Sequence, residues 1–134
     1  PMSKPAPAIS TVMTPSALTV DQSASLNEAH QMMRKHGIRH LPVLSNNEVI
    51  GIVSARDLLL IESFPGVDRD QMRVRVAMSS PVYTVREGDP INQVAAKMSE
   101  DKLGSALVID ASGAVSGIFT VTDALKVLAQ VWND

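Results

Sequence analysis

The sequence contains the same ordered set of motifs twice. The segment Gly51–Asp57 recurs as Gly117–Asp123, and Leu41–Leu44 recurs as Ala106–Ile109. The copies are offset by 65 positions up to the first core strand and by 66 after it, so we expect one additional residue in the turn between. A long period of this kind indicates two copies of a supersecondary unit that bury each other's apolar faces. Two equivalent units also form two equivalent clefts, which favours a binding module over a single-site enzyme.

The composition narrows the classes of function that this chain can have. Its 134 residues are enough for a compact body with a substantial core. Cysteine is absent and the net charge is −2, so neither a disulfide framework nor a basic surface for nucleic acid is predicted. No apolar run reaches the roughly 18 residues that span a bilayer. We therefore expect a cytoplasmic protein with no metal site, no nucleic-acid partner and no membrane insertion.

Each repeat has the same order of predicted elements: a short helical turn, a strand, a helix, two strands and a second helix. In the first copy Leu26, Ala29 and Met33 have helical spacing, with a start signal at Ser25 and a stop signal at Gly37. This mixture of elements predicts an α+β fold. We expect a flexible lead-in at residues 1–8, repeats at residues 9–62 and 74–131, and a linker at residues 63–73.

A short polar motif stands at the start of the second helix in each repeat. Ser54-Ala55-Arg56-Asp57 and Thr120-Val121-Thr122-Asp123 both read [ST]-x-x-D before an apolar helix. One interpretation is a helix cap, in which the hydroxyl and the carboxylate satisfy free N–H groups. The other is a ligand site, because the same carboxylate can accept hydrogen bonds from the hydroxyls of a ribose. The two interpretations are compatible, and recurrence in both copies favours the second.

Basic residues gather near the start of the first core strand in repeat 1 only. Arg39 and His40 precede the buried strand. Together with Arg56 they can form a positively charged entrance to a pocket, which would bind phosphate. The alternative is that they are solvated charges at a strand edge. Repeat 2 has Lys102–Ala106 at this place and lacks the Arg-His pair, so we expect the two clefts to differ. His30 and His36 are interpreted as surface residues, because neither has a spaced metal-ligand partner.

These motifs together resemble the CBS domain, the family named after cystathionine β-synthase. The residues that carry the resemblance are Val12–Pro15, Gly37–Val43 and Gly51–Asp57, with Met78, Thr84-Val85, Leu107–Asp110 and Gly117–Asp123 in the second copy. The resemblance covers nearly the whole chain. It implies two βαββα repeats packed with pseudo-two-fold symmetry, a tandem called a Bateman module. Such modules usually pair into a disc of four units and bind adenosine-containing ligands in two clefts.

The resemblance also implies which residues bind. Asp57 and Asp123 would hold ribose hydroxyls in separate clefts, helped by Ser54 and Thr120, and each cleft would use the N-terminal segment of the other repeat. Arg39, His40 and Arg56 would face phosphates. Beside Asp123 and Thr120, its cleft would contain Thr14, Leu18, Ile38, Arg39, Ile118 and Thr122. Beside Asp57 and Ser54, its cleft would contain Ser80, Tyr83, Leu103, Gly104, Ser105, Ile52 and Arg56.

We therefore expect a regulatory module that senses an adenine nucleotide or S-adenosylmethionine, with no catalytic cofactor and no catalytic residues. The ligand would favour one conformation or dimer geometry by population shift, and would regulate an attached or separate effector domain. A homodimer is expected, because the second helices carry more apolar surface than one small body can hide. The alternative is a ligand-independent dimerisation or protein-interaction module in which the [ST]-x-x-D motifs are only caps.

Overall fold

The computed structural model describes residues 5–16 and 18–133, and these residues form an α+β fold, as expected. No helix in these ranges is long and apolar enough to cross a membrane. Short 3₁₀ turns lie at Ile9–Thr11 and Val74–Val76. The strands are β1 (Thr14–Pro15), β2 (Val20–Asp21), β3 (His40–Ser45), β4 (Glu48–Ser54), β5 (Thr84–Arg86), β6 (Ser105–Ile109) and β7 (Val115–Thr120). The helices are α1 (Leu26–His36), α2 (Ala55–Glu62), α3 (Ile91–Asp101) and α4 (Val121–Val131).

The elements form two compact units, each with one sheet. One unit contains residues 18–82, and its sheet has the strand order β2-β3-β4. The other contains residues 5–16 together with residues 83–133, and its sheet has the order β1-β7-β6-β5. We name them unit A and unit B in that order. Unit A thus holds the sheet and helices of repeat 1, and unit B holds those of repeat 2.

The segment that begins each repeat belongs to the unit of the other repeat. We call residues 9–16 arm 1 and residues 74–82 arm 2. Ile9 of arm 1 is fully buried in the core of unit B, and its N–H donates to the carbonyl of Asp89 at 2.7 Å. Val74 of arm 2 is fully buried in the core of unit A, and its N–H donates to the carbonyl of Ala24 at 2.7 Å. Each core therefore depends on an apolar residue from a distant part of the sequence.

The predicted limits of the first long helix are confirmed. The Ser25 hydroxyl accepts a 3.0 Å hydrogen bond from the N–H of Glu28, which fixes the start of α1. Gly37 ends the helix with φ of 64°, a left-handed conformation that glycine adopts without steric cost. Leu26, Ala29 and Met33 are buried on one side of α1. The spacing of these three residues in the sequence therefore predicted correctly which side of α1 faces the core.

The additional residue of repeat 2 lies in its hairpin turn, as predicted. In repeat 1, Asn46 and Asn47 form a two-residue turn between β3 and β4, both with positive φ. In repeat 2 the last strand pair, Ile109 with Val115, encloses one more residue than the pair of Leu44 with Val49. The Asp110 carboxylate accepts from the N–H groups of Ser112 and Ala114, which organises this longer turn.

Each sheet has a glycine at the point where an arm packs closely against it. At Gly117 in β7, a Cβ atom would lie 2.8 Å from the carbonyl oxygen of Thr14, and at Gly51 in β4 it would lie 3.0 Å from that of Ser79. Contacts this short leave no room for a Cβ atom unless the neighbouring backbone shifts. The methionine side chains of Met13 and Met78 occupy the same space. The two strand glycines are therefore needed for close approach of the arms.

His30 is partly buried and bonded to another side chain, so the expectation of a solvated surface residue is wrong. Its side chain is only 14% exposed, and its Nε2 is bonded to the carboxylate of Glu62 at the end of α2. Glu62 also accepts from the Nε atom of Arg69 at 2.6 Å. The cluster ties α1, α2 and the segment after α2 together in unit A. Because the partner lies 32 positions away, local sequence around His30 did not reveal it. His36 is exposed, as expected.

Candidate functional site

Both [ST]-x-x-D motifs form capping boxes. In unit A the Ser54 hydroxyl accepts from the N–H of Asp57 at 3.0 Å, and the Asp57 Oδ2 atom accepts from the N–H of Ser54 at 2.9 Å. In unit B the Thr120 hydroxyl accepts from the N–H of Asp123 at 3.3 Å, and the Asp123 Oδ2 atom accepts from the N–H of Thr120 at 2.9 Å. The cap interpretation is confirmed at both sites. It occupies one oxygen of each carboxylate and leaves the other for a different partner.

The second oxygen distinguishes the two aspartates. Oδ1 of Asp123 accepts a 2.9 Å hydrogen bond from the hydroxyl of Thr14, which arm 1 brings beside β7. The Thr120 hydroxyl also lies 3.2 Å from the Asp123 Oδ2 atom, and Asp123 is only 5% exposed. Asp57 is half-buried, and no side chain among the described residues donates to its Oδ1 atom. The Asp57 carboxylate therefore has more acceptor capacity left.

Ser79 occupies in unit A the place that Thr14 has in unit B. Its N–H donates to the carbonyl of Ile52 at 2.8 Å, and the N–H of Ile52 donates back at 3.0 Å. Thr14 pairs with Ile118, which is equivalent to Ile52. Ser80 was predicted from the sequence as a site residue, and Ser79 was not. The signal that identifies Ser79 is the 65-position offset from Thr14.

The start of each first core strand lies beside the cap of the same unit. His40 is paired with Ser54 in unit A, and Ser105 is paired with Thr120 in unit B. The carbonyl of Arg39 accepts from the N–H of Ala55 at 2.8 Å, which joins the strand start to the first residue of α2. The Gly104 carbonyl has the same role for Val121 at 3.3 Å. Strand start and capping box therefore form one continuous surface in each unit.

The remaining predicted residues are divided between the units. The described residues of unit A, which contains Asp57, include Leu18, Ile38, Ile52, Arg56 and Ser80, and those of unit B, which contains Asp123, include Thr14, Tyr83, Leu103, Ile118 and Thr122. The backbone carbonyl of Tyr83 accepts from the N–H of Leu107 at 2.9 Å, which anchors it at the edge of β6. Burial raises the pKa of the Tyr83 phenol, and the charge of Asp89 raises it further. Its hydroxyl therefore remains a hydrogen-bond donor at neutral pH.

A groove beside the strand start is basic in unit A and apolar in unit B. The unit A groove has a volume of about 380 Å³ and is lined by His30, Arg34, Ile38 and Arg39, among others. Arg34 was not among the site residues predicted from the sequence. The equivalent groove of unit B has a volume of about 190 Å³. Four positions that hold His30, Arg34, Arg39 and Arg56 in repeat 1 hold Ala95, Ser99, Gly104 and Thr122 in repeat 2. The difference in charge between the two repeats therefore involves more residues than the Arg39-His40 pair on which the prediction was based.

The chain belongs to the CBS domain family, whose sequence profile matches residues 9–63 and 73–130. The identification from the sequence motifs is thus confirmed. A curated relative is the L-aspartate semialdehyde sulfurtransferase of Methanocaldococcus jannaschii, 27% identical over 124 residues, which are 92% of this chain and 23% of that protein. The chain spans less than half the length of this and two other curated relatives, with shares of 23%, 49% and 36%.

Solved structures with the same fold include a CBS domain pair. The CBS domain pair of protein MJ0100, in complex with 5′-methylthioadenosine and S-adenosyl-L-methionine, has a TM-score of 0.78 and 24% identity, with 94% of this chain and 98% of that chain covered. The cytosolic domain of the Mg²⁺ channel MgtE, in complex with ATP, has a TM-score of 0.71 and 26% identity, with 90% of this chain and 48% of that chain covered. The tandem CBS fold of the present chain is therefore established.

Proposed function

We propose that the chain is a regulatory module that binds an adenosyl ligand, of the class of AMP, ADP, ATP or S-adenosylmethionine. The observation that carries the proposal is the pair of carboxylates, Asp57 and Asp123, each held by a capping box at a helix start beside a strand-start backbone. Support also comes from the MgtE cytosolic domain, which was solved with ATP and is 26% identical to this chain. A cytoplasmic location is part of the proposal.

Each group would have a separate task in binding. A carboxylate oxygen at a helix start accepts from two vicinal hydroxyls, which is the pattern that a ribose offers. Backbone groups at Ile38–His40 and Leu103–Ser105 would contact the adenine edge, and the side chains of Ile52 and Ile118 would cover the ring. Arg39, His40 and Arg56 would bind phosphate.

The two aspartates would differ in how easily they accept a hydrogen bond from a ribose hydroxyl. Three hydrogen bonds already converge on Asp123, one of them from Thr14. A ribose hydroxyl at this site would have to replace the Thr14 hydroxyl or share the Oδ1 atom with it. At Asp57 no side chain among the described residues has to move away from the carboxylate. We therefore propose that the Asp57 site is the one occupied first.

The second candidate is a ligand-independent interaction module. The capping boxes alone account for the positions of Asp57 and Asp123, and the second helices expose large apolar side chains. Leu59 and Leu60 of α2 are 64% and 60% exposed, and Leu125 and Leu128 of α4 are 58% and 50% exposed. Exposed apolar patches on small proteins mark contact surfaces. A homodimer formed through these helices is therefore part of the proposal in either case.

No catalytic role is proposed for this chain. The hydroxyls of Ser54 and Thr120 and the carboxylates of Asp57 and Asp123 are engaged in helix capping. The regulated activity would belong to an attached or separate effector domain. Because the curated relatives are longer than this chain, an attached effector is consistent with them.

Thermal unfolding in the presence of candidate ligands tests the proposal. AMP, ADP, ATP and S-adenosylmethionine are each added at millimolar concentration, with GMP, GTP and inosine monophosphate as matched controls. A ligand at about 100 times its Kd stabilises the native state by about 2.7 kcal/mol, which is a shift of several degrees for a domain of this size. An increase with adenosyl compounds alone supports the proposal. No increase with any of them supports the ligand-independent interaction module instead.

A further inference from the structure

Each arm contacts its sheet through a methionine. Met13 of arm 1 lies against Gly117 in β7, and its Sδ and Cε atoms fill the space that a Cβ atom would need there. Met78 of arm 2 lies against Gly51 in β4, with its Sδ and Cγ atoms in the equivalent space. Both side chains also pack against the core of the unit that receives the arm. The thioether sulfur of each methionine is therefore part of the contact between arm and sheet.

The two arm methionines are more accessible than the methionines of the cores. The chain has seven methionines and no cysteine, so thioethers are its only sulfur groups. Met33 and Met98 are buried in the two cores, with exposed fractions of 4% and 5%. Met13 and Met78 are half-buried, so a small reagent can approach them from solvent. Each arm therefore carries a reachable sulfur atom at the point where it contacts its sheet.

A reachable thioether can be oxidised to a sulfoxide by a peroxide. The sulfur lone pair attacks one peroxide oxygen, and the S–O bond forms as the O–O bond breaks. The second oxygen takes the proton of the transferred one and leaves as water, so sulfur is oxidised and the peroxide is reduced. The product is a polar side chain in place of an apolar one, and its new oxygen requires a hydrogen-bond donor or water.

The sulfoxide oxygen is unfavourable in the place that each thioether occupies. The sulfur lies between a strand glycine and an apolar core, and burying a polar oxygen there without a partner costs free energy. We expect the oxidised side chain to turn outward and to pull on the residue that follows it. In arm 1 that residue is Thr14, which is bonded to Asp123. In arm 2 it is Ser79, whose backbone exchanges two hydrogen bonds with Ile52 in β4.

We propose that Met13 and Met78 are sites of reversible oxidation by peroxide, and that their sulfoxides release arm 1 from β7 and arm 2 from β4. The arms supply Ile9 and Val74 to the two cores, so their release loosens both units. Methionine sulfoxide is a substrate of dedicated reductases, which makes the change reversible. The inference does not depend on the ligand proposed above, because the contacts that it uses are those between arm and sheet.

Peptide mapping and hydrogen exchange of the oxidised wild-type chain test the inference without any substitution. The chain is treated with hydrogen peroxide, and mass spectrometry of its peptides follows each methionine over time. Sulfoxides are expected at Met13 and Met78 before Met33 and Met98. Amide exchange in residues 9–16 and 74–82 is expected to become at least about tenfold faster, and to slow again after treatment with methionine sulfoxide reductases. Unchanged exchange in oxidised arms would overturn the inference, as would arm methionines that remain reduced while the core methionines react.

Leucine variants separate the arm methionines from the other accessible ones. The double variant Met13→Leu, Met78→Leu keeps an apolar side chain of similar volume without an oxidisable sulfur, so its arms should stay protected from exchange in peroxide. The double variant Met32→Leu, Met72→Leu is the matched control, because both residues are half-buried and lie outside the arms. This control is expected to release its arms as the wild type does. Equal acceleration of arm exchange in the two double variants would refute the assignment to Met13 and Met78.

Discussion

Oγ1 of Thr14 donates a 2.9 Å hydrogen bond to Oδ1 of Asp123, although 109 positions of sequence separate the two residues. Thr14 reaches this place because arm 1 pairs with β7, and Asp123 is fixed there by its capping box with Thr120. The contact joins the N-terminal arm of repeat 1 to the candidate ligand site of repeat 2. Any ligand that binds Asp123 therefore acts on the position of this arm as well.

Removing the Thr14 hydroxyl should destabilise the protein more than removing its counterpart. Thr14→Val keeps the shape of the side chain but leaves the buried Asp123 carboxylate with one donor fewer. We expect a loss of about 1.5–3 kcal/mol in the free energy of unfolding, the usual value for a hydrogen bond to a charged group. Ser79→Ala is the matched control, with an expected loss below about 0.5 kcal/mol. Urea unfolding of both variants measures the difference, and equal losses would contradict the special role of the Thr14 contact.

Substituting the aspartates separates a helix cap from a ribose site. Asp57→Asn retains an acceptor near the start of α2, so we expect a stability loss within about 1 kcal/mol. If Asp57 binds ribose, removal of its negative charge should weaken ligand binding by roughly tenfold or more, because the charge-assisted hydrogen bonds disappear.

The effects of Asp123→Asn on stability and binding can be compared with those of Asp57→Asn, because the two residues are equivalent in the two repeats. Three donors converge on this carboxylate, so we expect a larger stability loss than for Asp57→Asn. Titration calorimetry should show that each variant loses one site and keeps the other. Unchanged affinity and stoichiometry in both variants would leave the aspartates as caps only.

A methyl group at the strand glycines should displace the arms. Gly117→Ala would place a Cβ atom 2.8 Å from the Thr14 carbonyl oxygen, and Gly51→Ala would place one 3.0 Å from that of Ser79. Overpacking of this kind costs about 1–3 kcal/mol, and we expect the larger loss for Gly117→Ala. Gly88→Ala is the control, because nothing lies within 4 Å of a Cβ atom there. Thermal unfolding in which Gly88→Ala is as damaging as Gly117→Ala would exclude the steric explanation.

The basic residues of repeat 1 should decide between nucleotides with different numbers of phosphates. Arg39→Gln and Arg56→Gln are expected to reduce the affinity for ATP several-fold while leaving that for adenosine nearly unchanged, because only ATP carries the charge they would bind. Arg86→Gln, at the end of β5 in unit B, serves as the control. Raising the salt concentration should reduce the effect, since exposed charges are screened. A parallel loss for adenosine would indicate a structural role for the arginines.

Features that depend on neighbouring residues could be predicted from the sequence. The capping boxes of Ser54 and Thr120 use partners three positions away, so the motif itself contains both ends of each hydrogen bond. The end of α1 at Gly37 follows from the conformational freedom of one residue. Repetition then extended each local prediction from one copy to the other.

Features that depend on distant pairing could not be predicted from local patterns. Ile9 and Val74 are apolar residues in similar segments, and nothing in their spacing says which core receives them. The resemblance to the CBS family supplied the use of each arm by the other repeat. It also placed Thr14 in the site of Asp123, where the two side chains are hydrogen-bonded. The contact of His30 with Glu62 was missed, since it joins residues that are far apart in sequence and no family motif includes them.

The path of the chain makes unit A an uninterrupted insertion within unit B. Residues 18–82 fold together, whereas unit B is assembled from two pieces, residues 5–16 and residues 83–133. We therefore expect that residues 18–82 can be prepared as one continuous fragment. The fragment of residues 83–133 would lack β1 and the buried Ile9, so a synthetic peptide of residues 5–16 should restore it by complementation. The N-terminal peptide could then serve as a removable reporter for the integrity of the second repeat.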